Sequence, residues 1–403
     1  MSNPSVLVVG GGASGLAAAI SAARSGADVT ILEANTRLGK KILATGNGRC
    51  NLTNTRLSLD AYNHSDFVAP VLARYSCDDI RAFFDSLGLL TYADEQGRVY
   101  PITNSANSVL NVLRLECKRL GVKERSDFEA VSVEGKSAGA PVEKGFAVTA
   151  RGGEKVVADA LVITVGGGSS ILADKGYSEE KFMPILCPIK TETQLIRGLS
   201  GIRVKCVASI LSADGGETVA CETGELLFRD YGVSGIMVFD LSRFLVPHAL
   251  LSIDFFPDTS AGELVDALCA RRAAFPERTA ESYFEGMLHS RLAEVVLRAA
   301  GIESNVLSEY LPSEKLAGLL KDFRLRVLGL GDAKQAQVTR GGVSVAEFDS
   351  RTMTSERDEG LFAAGEVLDI DGRCGGYNLH WAWASGLVAG MGAARFAAGH
   401  HHD

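Results

Sequence analysis

Long hydrophobic runs are missing from this chain of 403 residues. None reaches the roughly 18 consecutive apolar residues that a membrane-spanning helix needs, so we expect no transmembrane segment. The N-terminus has no basic flank or cleavage site, which argues against a signal peptide. Hydrophobic residues at 46% and charged residues at 22% are ordinary for a globular enzyme, and the length predicts two or three domains.

Closely spaced cysteines and a surplus of positive charge are missing as well. The eight cysteines are scattered without a C-x-x-C pair, so we expect no disulfide framework, no metal site and a reducing, cytoplasmic location. The formal net charge is −8 at pH 7. Nucleic acids and anionic membranes repel negative charge, and we therefore expect neither as the main partner.

The N-terminal segment has the pattern of a βαβ unit. Ser5 to Val9 is an apolar, β-branched run, typical of a strand buried on both faces. An alanine-rich helix is predicted over 16–24, and Gly26 separates it from a second predicted strand at 28–32. A glycine fingerprint becomes meaningful in such a setting.

Three glycines in the spacing G-x-G-x-x-G join the first strand to the helix. Gly10 permits a tight turn, Gly12 lets the backbone approach a pyrophosphate, and Gly15 lets helix and strand pack closely. The helix N-terminus presents free N–H groups and partial positive charge to phosphates. Glu33 ends the second strand, where an acid accepts hydrogen bonds from ribose hydroxyls. The pattern predicts dinucleotide binding.

A second glycine-rich turn near the C-terminus favours FAD over NAD as the dinucleotide. An apolar strand at 361–364 is followed at once by Gly365 and Glu366, whose carboxylate suits a ribityl hydroxyl. Gly375 and Gly376 then begin a predicted helix. Its N-terminal dipole would stabilise the negative charge that a reduced flavin carries at its pyrimidine edge.

Glycines also end a predicted strand at 160–165, where the backbone at 166–168 would lie against the cofactor. No second G-x-G-x-x-G unit is present for a separate nicotinamide domain. NADH or NADPH, as the expected electron donor, would therefore bind transiently, or it is not the donor.

An insertion interrupts the predicted nucleotide-binding domain, because short β-patterned runs and then helical periodicity replace the α/β pattern. We expect the FAD-binding domain at 1–188 and 341–403, with the insertion at 189–340. Within the insertion we expect a β subdomain at 189–258, a helical subdomain at 259–325 and a return strand to 340. The run Arg324 to Arg326 is interpreted as a solvated helix face. Substrate specificity is expected to come from the insertion.

Several motifs carry a resemblance to a known family over nearly the whole chain. They are the segments 37–41, 45–54, 224–227, 231–235, 338–343 and 365–378. With them the chain resembles the BaiN/YhiN-like flavoproteins, also called NAD(P)/FAD-dependent oxidoreductases or aminoacetone-oxidase-like proteins. The resemblance implies an α/β fold. It consists of a two-part, Rossmann-like FAD-binding domain of the glutathione-reductase type with an inserted β-barrel-like and helical region.

The cofactor-binding residues follow from the glycine turns and from this resemblance. The turns supply Gly10, Gly12, Gly15, Glu33, Val165, Gly166, Gly167, Gly365, Glu366, Asp369, Gly375 and Gly376. The resemblance adds Ala13, Ser14, Ala34, Arg37, Lys41, Thr45, Gly46, Arg49, Cys50, Asn51, Asn378 and Leu379, and it places Ala130 near the adenine.

Catalytic residues are not identified by the pattern, and three weak candidates stand out. Arg49 would stabilise reduced flavin or hold a carboxylate substrate, or it would pair with the cofactor pyrophosphate. Tyr377 would line a substrate pocket or pack in the core. His380 stands where the family has a glutamine. Cys50 and Cys374 form either a redox-active pair or two small packing residues.

Three functions are compatible with these features. In the first, hydride passes from NAD(P)H through flavin N5 to a small organic acceptor, such as the activated C=C bond of a 3-oxo bile-acid-like enone. In the second, the protein is an amine oxidase for aminoacetone-like substrates, re-oxidised by oxygen. In the third, it is a tRNA-modifying or non-catalytic flavoprotein, which would need a basic surface. The sequence indicates no oligomeric state.

Overall fold

Two separate hydrophobic cores divide the chain in the computed structural model, which describes residues 3–135, 145–168, 171–332 and 335–399. The first core belongs to a unit made of residues 1–183 and 338–403. The second belongs to a unit made of residues 184–337. The first unit therefore contains both ends of the chain.

The described residues form helices and strands with the following bounds. The helices are α1 (Ala13–Arg24), α2 (Ser65–Arg74), α3 (Cys77–Ser86), α4 (Ala106–Arg119), α5 (Ile236–Ser242), α6 (Ala261–Ala274), α7 (Ala280–Tyr283), α8 (Ser290–Ala300), α9 (Ser313–Lys321) and α10 (Tyr377–Ala397). The first strands are β1 (Ser5–Val9), β2 (Asp28–Leu32), β3 (Thr53–Asn54), β4 (Thr91–Ala93), β5 (Arg98–Pro101), β6 (Lys123–Arg125), β7 (Ala130–Glu134), β8 (Phe146–Ala150), β9 (Lys155–Ala158) and β10 (Ala160–Ile163). The remaining strands are β11 (Glu179–Ile185), β12 (Ile189–Thr191), β13 (Arg203–Leu211), β14 (Thr218–Arg229), β15 (Gly232–Ser234), β16 (Leu250–Asp254), β17 (Phe323–Leu330), β18 (Val338–Val343) and β19 (Leu361–Ala363).

A parallel five-stranded sheet, in the order β19-β10-β1-β2-β6, forms the centre of the first unit. Its strands β1, β10 and β19 are buried along nearly their whole length, which explains their continuous apolar sequences. β19 comes from the C-terminal part of the chain and pairs with β10 from the N-terminal part. The predicted α/β fold, a two-part Rossmann-like domain with a barrel-like insertion, is confirmed.

Helices α1 and α10 pack together closely because α10 carries glycines where they meet. A Cβ at Gly386 would overlap the carbonyl oxygen of Ser14, and one at Gly390 would overlap that of Ala18. The two glycines lie four residues apart and therefore on one face of α10. The Ser21 hydroxyl also donates to the Leu387 carbonyl at 2.7 Å. These contacts join the two ends of the chain.

The second unit contains a closed six-stranded barrel in the order β12-β15-β14-β13-β16-β17. Its helices α6 to α9 include the amphipathic α8, which buries Leu292, Val295 and Val296 as their helical spacing predicts. No helix in the described part of the chain is long and apolar enough to cross a membrane.

The interpretation of Arg324 to Arg326 as a helix face is wrong. These residues lie on β17, where Phe323, Leu325 and Val327 are buried and the alternate arginines are exposed. The period of two belongs to a strand with one face in the barrel. The helix α5 was also missed, because its apolar residues lie within the β-patterned part of the insertion.

Candidate functional site

The three fingerprint glycines each have a separate steric reason in the structure. A Cβ at Gly10 would overlap the Thr164 carbonyl, and one at Gly15 would overlap the Gly10 carbonyl. Both glycines are therefore needed for packing inside the protein. Apart from its chain neighbours and its own helix, no described residue has an atom within 4 Å of a Cβ position at Gly12, so the space beside it is open. This is the glycine predicted to let a pyrophosphate approach.

Open space at Gly12 coincides with an uncapped helix N-terminus. Gly12 is the N-cap of α1, and no side chain in the described ranges caps this end of the helix. The N–H groups of the first turn, beginning with Ala13 and Ser14, therefore remain available to an anion, and the helix dipole adds partial positive charge. The arrangement suits a phosphate group.

Glu33 is a buried carboxylate held beside the same turn. One of its oxygens accepts the Gly11 N–H at 2.8 Å, and the other accepts the Asn35 N–H at 2.8 Å. These bonds fix the carboxylate at the end of β2, where the sequence predicts recognition of a ribose.

The C-terminal turn is brought against the N-terminal fingerprint at Gly365. A Cβ on Gly365 would overlap the Ser14 side chain, and the residue has φ +77°, so glycine is needed on both counts. The Gly365 N–H donates to the Ser385 hydroxyl at 3.0 Å, and the Trp381 indole donates to the Gly365 carbonyl at 3.2 Å. Helix α10 thus fixes this turn from both sides.

The Glu366 carboxylate lies close to hydrogen-bond donors from three other segments of the chain. One oxygen accepts the Thr339 N–H at 2.6 Å, and the other pairs with the Lys41 ammonium at 2.9 Å. The Gly167 N–H lies at 3.4 Å from that second oxygen. The predicted residues Lys41, Gly166, Gly167 and Glu366 are therefore brought together, as a cofactor site made from both chain ends requires.

The N-terminus of α10 is also uncapped, and a buried polar atom lies beside it. Gly376 is the N-cap with φ 106°, and no side chain among the residues that the structure describes caps the helix. A Cβ on Gly376 would lie 2.9 Å from Asn51 Oδ1. This oxygen is buried and has no hydrogen-bond partner among the described residues. A ligand with an N–H group at this place would satisfy it.

Three of the other predicted residues, all on α10, contact protein rather than open space. Asn378 accepts the Gly372 N–H and donates to the Gly372 carbonyl, both at 2.8 Å, and so holds the preceding loop. The Tyr377 hydroxyl donates to the Arg56 carbonyl at 2.9 Å. Leu379 packs partly buried against the core of the first unit.

Arg49 and Cys50 lie next to each other but in different surroundings. The Arg49 guanidinium lies over the Tyr100 ring, 4.5 Å from its centroid, and makes no ion pair with a carboxylate in the described ranges. Cys50 is fully buried, and burial raises the pKa of its thiol to about 12. A thiol of that kind is protonated at neutral pH and is a poor nucleophile. The eight cysteines, Cys374 among them, all lie in the described ranges, and no disulfide joins any of them.

His380 is fully buried, and both of its ring nitrogens are engaged. Nδ1 pairs with the Thr53 hydroxyl at 2.8 Å, and Nε2 pairs with the Tyr75 carbonyl at 3.0 Å. Burial lowers the pKa of the imidazole to about 4, so it is neutral at pH 7. We therefore assign His380 no catalytic role.

The remaining predicted residues lie around the same turns. Ala34 and Arg37 are exposed on the loop after β2, and Thr45 and Gly46 lie in the 3-10 segment Ile42–Gly48. Ala130 begins β7, and Val165 follows β10. In the described part of the chain, no group of three or more His, Cys, Asp or Glu side chains is arranged to hold a metal ion.

Sequence reasoning missed one pair of residues at this site. His64, which the sequence did not single out, pairs through Nε2 with the Asp369 carboxylate at 2.9 Å. The two residues are far apart in the chain, so no spacing pattern reveals the pair. The positive φ of His64, a residue just before a helix, is equally invisible in the sequence.

Comparisons with known proteins give one family and several relatives. A family described as "HI0933-like protein Rossmann domain" matches residues 4–392. The chain is 34% identical over 412 residues to the 3-dehydro-bile acid delta(4,6)-reductase of Clostridium scindens, covering 96% of this chain and 98% of that protein. It is 30% identical over 394 residues to the ribosomal RNA dihydrouridine synthase of Escherichia coli, covering 94% of this chain and 95% of that protein. The protein of that name from Haemophilus influenzae is 26% identical over 407 residues, with 96% and 98% covered.

Proposed function

The chain belongs to the family of HI0933-like proteins, and we propose that it is an FAD-dependent oxidoreductase. The proposed reaction is the reduction of an activated C=C bond in a small organic acceptor, with NADH or NADPH as a transient donor. The family membership confirms the resemblance that the sequence motifs indicate.

The residues of the first unit fit FAD by two independent observations. Open space at Gly12 lies at the uncapped N-terminus of α1, which suits the pyrophosphate. The buried, unpaired Asn51 Oδ1 lies beside the uncapped N-terminus of α10, which suits a ring edge that carries an N–H group and carbonyl oxygens. Bound FAD would supply hydride transfer to and from carbon.

Different residues of the first unit would bind different parts of this cofactor. Glu33 would bind the ribose of the adenosine half, and Glu366 with Lys41 would bind the ribityl and phosphate region. Asn51 and the first turn of α10 would bind the pyrimidine edge. There the helix dipole favours negative charge and therefore the reduced state. Arg49 would add a positive charge, because Tyr100 holds its guanidinium in place.

The single observation that favours reduction of a C=C bond is the similarity over nearly the full chain to the bile acid delta(4,6)-reductase. The names of the other relatives agree with it chemically. A dihydrouridine differs from uridine by two hydrogens added to a C=C bond that is conjugated with a carbonyl group. Both kinds of relative therefore saturate activated double bonds, and this chemistry supports a reductase over an amine oxidase.

Anaerobic mixing of the purified yellow protein with NADH, NADPH or aminoacetone tests the direction of this reaction. We expect NADH or NADPH to bleach the flavin within seconds and the amine to leave it oxidised. Bleaching by the amine alone, followed by re-oxidation in air with release of hydrogen peroxide, would establish the oxidase instead.

RNA is a second candidate for the acceptor, and the two dihydrouridine synthases favour it. Between Glu33 and Asp60 the chain has no acidic residue and five basic ones, Arg37, Lys40, Lys41, Arg49 and Arg56. The net charge of −8 opposes RNA binding. Incubation of the protein and NADPH with unmodified ribosomal RNA, followed by mass spectrometry of the nucleosides, decides between the acceptors. The small-molecule proposal predicts no gain of dihydrouridine.

A further inference from the structure

Asp369 is a nearly buried carboxylate whose charge partner is His64. The Asp369 side chain is 10% exposed, and its Oδ2 lies 2.9 Å from His64 Nε2. Its Oδ1 accepts the Gly341 N–H at 3.1 Å and lies 3.4 Å from the Asn63 amide nitrogen. Within the ranges that the structure describes, no lysine or arginine is within 4.0 Å of this carboxylate. Asp369 is therefore fixed in place and faces the imidazole of His64.

The segment that carries His64 is bound tightly to the C-terminal turn. Asn63 donates its N–H to the Asp371 carbonyl at 3.1 Å and its amide to the Asp369 carbonyl at 3.0 Å. Its side-chain oxygen accepts the Asp371 N–H at 2.7 Å. The Tyr62 hydroxyl donates to the Tyr377 carbonyl at 2.9 Å. His64 is thus attached to the same turn that carries Glu366 and the start of α10.

The backbone of His64 is in an unusual conformation. Its φ of 45° and ψ of 47° lie in the left-handed region, which is uncommon for residues other than glycine, although asparagine, aspartate and histidine enter it more often than the rest. Such conformations persist where surrounding contacts over-determine them, and they concentrate at functional sites. Here the contacts of Asn63 and Asp369 hold His64 in this conformation.

We propose that His64 is the proton donor of the reduction, and that Asp369 positions its imidazole. The proposal rests on the proposed function. Saturation of a C=C bond adds a hydride, supplied by the reduced cofactor, to one carbon and a proton to the other. The imidazolium of His64 gives up that proton from Nδ1, because Nε2 faces Asp369. The side chain is 42% exposed, so solvent restores the proton, and the reduced nicotinamide restores the two electrons.

The other candidate acids near the turn are committed elsewhere. His380 has both nitrogens engaged in the core, and the Tyr377 hydroxyl donates to the Arg56 carbonyl. The Cys50 thiol is fully buried. His64 Nδ1 has no hydrogen-bond partner among the described residues. Of the four, His64 alone combines an exposed side chain with a ring nitrogen that is not engaged by the described residues.

The test uses reduced holoenzyme of His64→Asn, since asparagine tolerates the left-handed backbone. Each protein is reduced anaerobically with NADPH and mixed with a 3-oxo-Δ4 steroid as a cyclic enone. We expect enone-dependent re-oxidation to slow by about 100-fold or more, the usual contribution of a general acid. Reduction by NADPH, re-oxidation by oxygen and FAD affinity should stay within about twofold of the wild type. His248→Asn is the matched control, because His248 is an exposed histidine with φ 60° in the second unit.

A second readout separates proton donation from a structural role. In D₂O the wild type should place deuterium on one face of the protonated carbon, and His64→Asn should give both faces. Asp369→Asn keeps an acceptor for the Gly341 N–H and should slow enone-dependent re-oxidation about tenfold or more. It serves in the same assay if His64→Asn fails to retain FAD.

Equal enone-dependent re-oxidation of His64→Asn and wild type would overturn the proposal. So would an equal slowing of the oxygen reaction, because that result assigns His64 a structural role. If the reduced wild type itself transfers nothing to the enone, the proposed function fails and the role of His64 fails with it. Slower enone-dependent re-oxidation in His64→Asn, with the oxygen reaction unchanged, supports both the proposed function and the role of His64.

Discussion

A single oxygen atom, Asn51 Oδ1, is the residue-scale feature that argues most directly for a bound partner. A buried acceptor without a hydrogen bond costs about 1–3 kcal/mol, and proteins seldom keep one without a reason. The sequence placed Asn51 at the cofactor through family resemblance alone. Its unpaired oxygen depends on how the loop at 45–54 meets the start of α10, which no local pattern shows.

Replacing Asn51 with leucine should separate ligand binding from stability. We expect Asn51→Leu to raise the Kd for FAD by about tenfold, because one hydrogen bond of about 1.4 kcal/mol is lost. The free energy of unfolding of the apo-protein should stay equal or rise by about 1 kcal/mol, since a buried polar group is removed. FAD titration by fluorescence and urea unfolding measure the two effects. Asn111→Leu, on an exposed face of α4, is the control. An unchanged Kd for Asn51→Leu would remove Asn51 from the site.

His380 predicts a pH dependence of stability. Its folded pKa of about 4 lies below the usual 6.5, so the unfolded chain binds the proton more readily. The contribution of the neutral His380 to stability is complete above pH 6.5 and is lost as the pH falls toward 4. At pH 5 the free energy of unfolding has fallen by about 2 kcal/mol. His380→Gln should be close to the wild type in urea unfolding at pH 7 and more stable than it at pH 5. Parallel pH curves for the two proteins would contradict the buried, neutral imidazole.

At the scale of elements, local patterns predicted what local physics determines. The βαβ unit, α8 and α10 follow from glycine placement and apolar periodicity within single segments. The sequence pattern did not predict strand β17 or helix α5, because barrel closure decides which face of each segment is buried. The contact between α1 and α10 was also beyond the sequence, since it joins glycines near one end of the chain to carbonyl groups near the other.

This contact between helices makes a prediction about Gly390. Alanine in its place would press a methyl group onto the Ala18 carbonyl, so we expect Gly390→Ala to lower the free energy of unfolding by about 2 kcal/mol. Gly318 lies in α9 with nothing within 4 Å of a Cβ position. There Gly318→Ala should stabilise by up to about 1 kcal/mol through helix propensity. Urea unfolding measures both variants. Equal effects would show that α1 and α10 are not closely packed.

At the scale of the whole molecule, the two ends of the chain form one candidate site in the first unit. We propose that the fingerprint at β1 and α1 binds the phosphates and that the turn before α10 binds the flavin ring. The sequence predicted that both chain ends belong to one Rossmann-like domain, because each half has its own recognisable glycine pattern. The acceptor was not predictable in the same way, because the sequence contains no comparable local pattern for substrate recognition.

The central claim is that this site reduces an activated C=C bond, and product mass tests it most directly. The protein is incubated anaerobically with NADPH and a 3-oxo-Δ4 bile acid, and the steroid is analysed by mass spectrometry. The account predicts a steroid that has gained two hydrogen atoms, one product for each NADPH consumed. An unchanged steroid, together with hydrogen peroxide formed from aminoacetone in air, would contradict it.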